Sequence, residues 1–119
     1  MTSKKIRILP TKNNIIWTQH SLAKLKQYYL SQSRILRIIR HPERIESGIA
    51  PQTTAAMQSV KRKHPTEIWT MWQEIKIKNQ STIKIISAWR YPGISPISHP
   101  PPIPLEELDF LQNNPPCSD

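Results

Sequence analysis

Histidine and lysine occur four residues apart near the start of the chain. His20 and Lys24 follow Thr18, a residue type that caps helix N-termini, so both side chains are expected on one face of the first helix. The N–H groups and the dipole at that helix end favour an anion such as a phosphate. The pair therefore predicts a phosphate contact. A capping or packing role for His20 and a solvated Lys24 are the competing interpretations.

Two other basic features suit the same chemistry. Arg90 ends a predicted strand, where its guanidinium could hold two phosphate oxygens at once. A salt bridge to Glu67 or Glu74 is the structural alternative for this residue. The second feature is a basic loop that could hold a backbone phosphate, made of Lys61, Arg62, Lys63 and His64.

Tryptophans on the predicted strand 66–77 suggest base stacking. Trp69 and Trp72 fall on opposite faces of a regular strand, so one is expected in the core and the other exposed as a platform for a base. On the predicted strand 82–91, strict alternation separates the faces in the same way. One face takes Ile83, Ile85, Ser87, Trp89 and Tyr91, and the other takes Lys84, Ile86, Ala88 and Arg90.

Charge is distributed unevenly along the 119 residues. The first 91 residues hold all 17 basic residues and four acidic ones, a formal net charge of +13, whereas the last 28 residues carry −4. A strongly basic body attracts polyanions such as nucleic acid, an anionic membrane face or an acidic protein. Basic side chains that merely solvate the surface are the alternative interpretation.

Composition excludes several classes of site. Gly48 and Gly93 are the only glycines, so neither a dinucleotide-binding nor a Walker-type phosphate loop can be built. Cys117 stands alone, and the four histidines show no metal-binding spacing, so we expect no disulfide, metal or cofactor. No apolar run approaches the ~20 residues of a membrane span, and no signal-peptide pattern opens the chain. We therefore expect a soluble, cytoplasmic protein without a membrane partner.

The pattern of apolar residues predicts an α+β domain over residues 1–91 and a proline-rich, acidic tail over 92–119. Two N-terminal helices should pack on one face of a three- to four-stranded antiparallel sheet. We expect the acidic, amphipathic segment 105–112 to lie on the basic body. The predicted strands are 4–9, 14–18, 43–47, 53–60, 66–77 and 82–91, and the predicted helices are 19–30 and one from Ser31 or Ser33 to Arg40.

Two motifs carry a resemblance to known families. The run from Trp17 to Lys24 (WTQHSLAK), followed by HPERIESG at 41–48, resembles the opening of a family of small uncharacterised domains. The run ISAWR at 86–90 resembles the late strand of BrnT-type toxins, with Trp89 where those toxins have arginine. Both families are related to the RelE/ParE-like toxins, and the resemblance covers residues 14–91. The tail has no counterpart in it.

The resemblance implies a RelE-like fold and a toxin of a toxin–antitoxin pair that cleaves RNA without a metal. Such cleavage needs a base, an acid and cations around the phosphate. His20 and Arg90 are the predicted catalytic pair, and an acidic antitoxin is the implied partner. A non-catalytic nucleic-acid-binding domain and a protein-interaction module are the alternatives. The predicted nucleic-acid-binding residues are Lys24, Arg44, Lys61, Arg62, Lys63, His64, Trp69, Trp72 and Tyr91.

Overall fold

The structure, a computed structural model, describes residues 14–97 and 100–113. The predicted strand 4–9 lies outside these residues. The elements are β1 (Asn14–Trp17), α1 (Gln19–Tyr28), α2 (Gln32–Arg40), β2 (Arg44–Ser47), β3 (Thr53–Val60), β4 (Thr66–Ile77), β5 (Gln80–Pro92) and α3 (Leu105–Asn113). None of the described helices is long and apolar enough to cross a membrane.

The α+β class is confirmed, but the sheet is larger than predicted and mixed. Its five strands have the order β1-β5-β4-β3-β2, in which β1 runs parallel to β5 and the other neighbours are antiparallel. The prediction of a three- to four-stranded, wholly antiparallel sheet is therefore wrong. The short β-prone segment at 14–18 predicts a strand. It does not show that this strand pairs in parallel with one more than sixty residues later in the chain.

Local sequence explains where the elements begin. Thr18 caps α1 by accepting a hydrogen bond from the Ser21 N–H (3.0 Å), and Ser31 caps α2 by accepting one from the Arg34 N–H (3.1 Å). Lys78 and Asn79 both adopt positive φ (53° and 66°), as the two-residue turn between β4 and β5 requires. The helix predicted over 19–30 ends earlier, at Tyr28, because Tyr29 takes a left-handed conformation.

A β-bulge in β5 changes which residues share a face. Met71 pairs with Ser87 and the next residue, Trp72, pairs with Ile85, so Ile86 is the extra residue. The predicted alternation along 82–91 is therefore wrong beyond this point. Ala88 and Arg90 lie on the face of Ile83 and Ile85, whereas Trp89 lies with Ile86 on the opposite face.

Each face of the sheet has its own hydrophobic cluster. Helices α1 and α2 cover one face, burying Leu25, Ile35 and Ile38 against strand residues such as Trp72 and Ile85. The other face is covered by the chain that follows β5, here called the C-terminal segment (residues 93–97 and 100–113 as described). It supplies Leu111, Phe110 and Ile103. The predicted arrangement of two helices on one face is thus extended by a third helix, which belongs to the opposite layer.

The C-terminal segment is held to the sheet by polar contacts as well. Trp89 donates its indole N–H to the Pro102 carbonyl oxygen (2.7 Å). Buried Glu67 accepts hydrogen bonds from the Ser95 N–H (3.0 Å), the Ser95 hydroxyl (2.7 Å) and the Trp69 indole (3.0 Å). The expectation that the tail lies on the basic body is confirmed for the tail residues that the structure describes.

Candidate nucleic-acid interface

Arg90 lies at the C-terminal end of α1. Its Nε donates to the Tyr28 carbonyl oxygen (2.9 Å) and its Nη2 donates to the Tyr29 carbonyl oxygen (3.4 Å). These carbonyls end a helix and have no intrahelical donor, so a guanidinium is a suitable partner for them. The proposed salt bridge to Glu67 is absent, because Glu67 faces the other side of the sheet and bonds Ser95 and Trp69.

A cavity of about 550 Å³ opens beside Arg90. It lies where the end of α1 and the start of α2 meet the adjoining ends of β3, β4 and β5. Three arginines and a histidine line it, and no aspartate or glutamate is among its described lining residues. The basic lining residues are Arg34, Arg62, His64 and Arg90.

Arg34 is the least compensated of these cations. Its Nε atom is buried and has no hydrogen-bond partner among the described residues. Burial, and after it the positive charges of Arg37 and Arg90, lowers the pKa of the Arg34 guanidinium. Since a guanidinium stays charged at ordinary pH, the lowered pKa means that this cation is held in an unfavourable environment that an anion would improve.

The basic loop supplies two of the lining residues. All four of its side chains are exposed; Arg62 and His64 line the cavity, whereas Lys61 and Lys63 are not among the residues that line it. The loop joins the end of β3 to the start of β4, and these strand ends form one wall of the cavity through Val60 and Thr66. Of the four predicted loop residues, the structure therefore brings two together with Arg90.

His20 lies at the opposite end of α1 from Arg90. Its Nε2 is 2.9 Å from both carboxylate oxygens of buried Glu107, and its ring stacks on Phe110 with 3.7 Å between centroids. A ten-residue helix is about 15 Å long, so one phosphate cannot contact both His20 and Arg90. The prediction that these two side chains form one site is wrong. Because β1 lies parallel to β5, α1 begins beside Ile85, and only its C-terminal end lies beside Arg90.

Lys24 is enclosed in the same acidic surroundings. It is 7% exposed, and its Nζ lies 3.3 Å from Glu106 Oε2, 3.6 Å from Glu107 Oε1 and 3.0 Å from Gln27 Oε1. Two carboxylates of α3 therefore already accompany the His20 and Lys24 side chains. The phosphate contact predicted at His20 and Lys24 is thus occupied by the C-terminal segment.

The predicted stacking platforms are buried. Trp69 packs parallel to Trp89, with 6.3 Å between ring centroids, beneath the C-terminal segment, and Trp72 lies in the cluster under α1 and α2. Neither ring is exposed to a base, so the expectation of an exposed tryptophan on β4 is wrong. Both faces of this sheet are covered, which a pattern of alternation within one strand does not reveal.

Arg44 and Tyr91 belong to the face of the sheet that the C-terminal segment covers. Arg44 donates to Glu46 Oε2 (3.0 Å) and to the Ser95 hydroxyl (2.8 Å), and its guanidinium lies 5.0 Å from the centre of the Trp69 ring. Tyr91 packs against the same cluster. The structure therefore separates both residues from the cavity.

Comparisons with known proteins do not assign this arrangement. No family model, curated protein or solved structure matches the chain. Within residues 14–97 and 100–113, no group of three or more His, Cys, Asp or Glu side chains is placed to hold a metal ion.

Sequence analysis missed Arg34 and Tyr29, which also line the cavity. A signal for Arg34 was present, because it follows the cap residue Ser31 by three positions and so lies in the first turn of α2. Tyr29 lies at helical spacing from Leu22 and Leu25, which predicts a place on the apolar stripe of α1, yet the residue is 90% exposed.

Proposed function

We propose that the protein binds single-stranded RNA and that a backbone phosphate occupies the cavity of Arg34, Arg62 and Arg90. The observation that carries this proposal is that three arginines and a histidine line one cavity, with no carboxylate among its described lining residues. Guanidiniums bind phosphate oxygens in pairs, and partial enclosure strengthens each contact because less water screens it.

The charge of the whole body supports the same ligand. A formal charge of +13 over the first 91 residues would attract a polyanion along its length, and the cavity would then fix one phosphate in place. The exposed Lys61 and Lys63 on either side of Arg62 are positioned to contact neighbouring phosphates.

Metal-independent cleavage is a second candidate function, and His64 is the observation that favours it. His64 lines the cavity together with the three arginines. In this mechanism its imidazole takes the proton of the ribose 2′-OH, the 2′-oxygen attacks phosphorus, and the 5′-oxygen leaves with a proton from water. The guanidiniums stabilise the charge of the pentacoordinate phosphate. This proposal replaces the His20–Arg90 pair by His64 with Arg62 and Arg90.

A toxin-like role follows from the cleavage proposal and from the RelE/ParE resemblance. An acidic antitoxin would inhibit such a protein by placing carboxylates among the arginines of the cavity, in competition with RNA. Its arrangement would be similar to the contacts that Glu106 and Glu107 make with Lys24 at the other end of α1.

Binding is tested by fluorescence anisotropy with a labelled single-stranded RNA of twelve nucleotides. Arg62→Gln should weaken binding about 10-fold, because it removes a charge-assisted contact to phosphate. It should also reduce the slope of log K against log salt by about 0.7. Lys76→Gln is the matched control, since it removes one charge from an exposed residue near the other end of β4, away from the cavity. Equal losses in the two variants would show diffuse attraction and no phosphate site.

Cleavage is tested with His64→Asn, which keeps a polar side chain without a base. We expect a rate at least 10²-fold lower and, in the unsubstituted protein, products that end in a 2′,3′-cyclic phosphate. His20→Asn serves as the control and should cleave RNA normally once its folding has been verified. A cleaving His64→Asn protein would contradict this candidate function and leave the binding proposal standing.

A further inference from the structure

Tyr29 has a conformation and an exposure that its own side chain does not favour. It ends α1 in the left-handed region (φ 57°, ψ 51°), which glycine or asparagine usually occupies because a bulky side chain crowds the following carbonyl. The residue is 90% exposed, so burial of the ring does not offset that strain. The ring is therefore available to a ligand.

Its position joins this ring to the arginine cavity. Tyr29 lines the cavity, and its carbonyl oxygen accepts a hydrogen bond from Arg90 Nη2 (3.4 Å). Arg90 also holds the Tyr28 carbonyl oxygen, so the same guanidinium orients the end of the helix from which Tyr29 projects. Arg34 lies in the first turn of α2, across the short connection between the two helices.

We propose that the ligand of this cavity is an unpaired nucleotide, whose base stacks on Tyr29 while its phosphate binds the arginines. This inference rests on the proposed RNA-binding function and adds a base-contacting residue to it. A cavity of about 550 Å³ is in the range of small-molecule sites, at about 300–1,000 Å³, and is larger than a phosphate group alone requires.

Stacking on one exposed tyrosine gives a definite selectivity. An aromatic ring accepts any of the four bases, because each of them has a π-face, so the site distinguishes unpaired from paired nucleotides and not one base from another. A base within a duplex is stacked on both sides and cannot reach Tyr29 without leaving its pair. The protein should therefore prefer single strands over duplexes of the same sequence.

The test combines one substitution with the removal of bases from the probe. The probes are a single-stranded RNA hexamer and the same hexamer with abasic riboses. Tyr29→Asn should weaken binding of the hexamer at least 5-fold, as expected for loss of one stacked base, and should change binding of the abasic hexamer less than 2-fold. Tyr29→Phe should retain the affinity of the unsubstituted protein. Asparagine suits the left-handed conformation, so the variant is expected to fold.

The outcomes separate this inference from the proposed function. If Tyr29→Asn binds the hexamer as tightly as the unsubstituted protein while Arg62→Gln binds it weakly, base stacking is refuted and the phosphate site stands. If the unsubstituted protein binds neither probe at low salt, the proposed function itself fails. A 2-aminopurine base in the hexamer should be quenched on binding and should stay bright with Tyr29→Asn. Equal affinity for duplex and single strand would also overturn the inference.

Discussion

The two ends of α1 carry similar side chains in opposite electrostatic surroundings. At the N-terminal end, His20 and Lys24 contact Glu106 and Glu107 of α3 and are largely covered by it. At the C-terminal end, three arginines and His64 surround a cavity that no carboxylate lines among the described residues. One end is neutralised from within the chain, and the other retains its positive charge.

In this comparison, the structural cluster differs from the proposed binding site in charge compensation and not in residue type. A buried cation is costly unless an opposite charge or several hydrogen bonds accompany it. At His20 and Lys24 that partner is built into the fold. Arg34 is only partly buried, but its buried Nε has no hydrogen-bond partner among the described residues, and burial, with Arg37 and Arg90, lowers the pKa of its guanidinium.

The largest loss of stability should come from removing Glu107, the buried carboxylate that accompanies His20 and Lys24. Glu107→Ala leaves His20 without its carboxylate and Lys24 with only the exposed Glu106, so the free energy of unfolding should fall by about 3 kcal/mol. Urea unfolding measures this loss. Glu106→Ala is the matched control, because Glu106 is exposed and its pair with Lys24 should contribute far less. If Glu107→Ala were as stable as the unsubstituted protein, the N-terminal end would not be a structural cluster.

A smaller loss of stability is expected when Arg90 is removed from the C-terminal end of α1. Arg90→Ala takes away two charged hydrogen bonds from the Tyr28 and Tyr29 carbonyls and should cost about 2 kcal/mol. Arg90→Lys keeps the charge but not the forked geometry, so its stability should be intermediate while its RNA salt dependence stays near normal. An Arg90→Ala protein with normal stability and normal RNA binding would remove Arg90 from both roles.

The sequence predicted most elements of the fold because their signals are local. The caps at Thr18 and Ser31 and the alternation along β3 and β4 each depend on neighbouring residues. The pairing of β1 with β5 and the covering of the second sheet face by α3 depend on contacts between distant segments. Periodicity contains no information about such contacts.

The candidate site was predicted in part for the same reason. Arg62, His64 and Arg90 were predicted to contact phosphate from their charge, but their grouping with Arg34 depends on the bulge at Ile86, which turns Arg90 toward the helices. An extra residue in a strand has no signature in this sequence: Ile86 continues an apolar run, and no glycine marks it. His20 was paired with Arg90 because the end of a strand and the start of a helix can meet at one rim of such a fold, and the sequence does not show which end of α1 lies beside Arg90.

A stabilising substitution sharpens the comparison at the C-terminal end. Tyr29→Asn should raise the free energy of unfolding by about 0.5–1 kcal/mol, since asparagine adopts the left-handed conformation with less strain. Chemical denaturation of the two proteins measures the difference. If Tyr29→Asn is more stable and also binds RNA more weakly, Tyr29 contributes to ligand binding and lowers the stability of the folded protein. A loss of stability would mean instead that the ring contributes packing.

The smallest effect concerns the pH dependence of the contact between α3 and α1. Hydrogen bonds from Gln27 and then Lys24, together with the charge of Lys24, lower the pKa of Glu106 below its ordinary value of 4.5. A carboxyl whose pKa is lower in the folded protein stabilises it above the unfolded pKa, and this contribution is lost as the pH falls through the folded pKa. The stability difference between the unsubstituted protein and Glu106→Gln should therefore be constant near pH 7 and vanish as the pH falls below 4.5. Glu106 is exposed, so 1 M salt should reduce the difference at pH 7 as well. A difference that persisted at pH 3 would show that the amide substitution acts through packing and that Glu106 has no electrostatic part in holding α3 to α1.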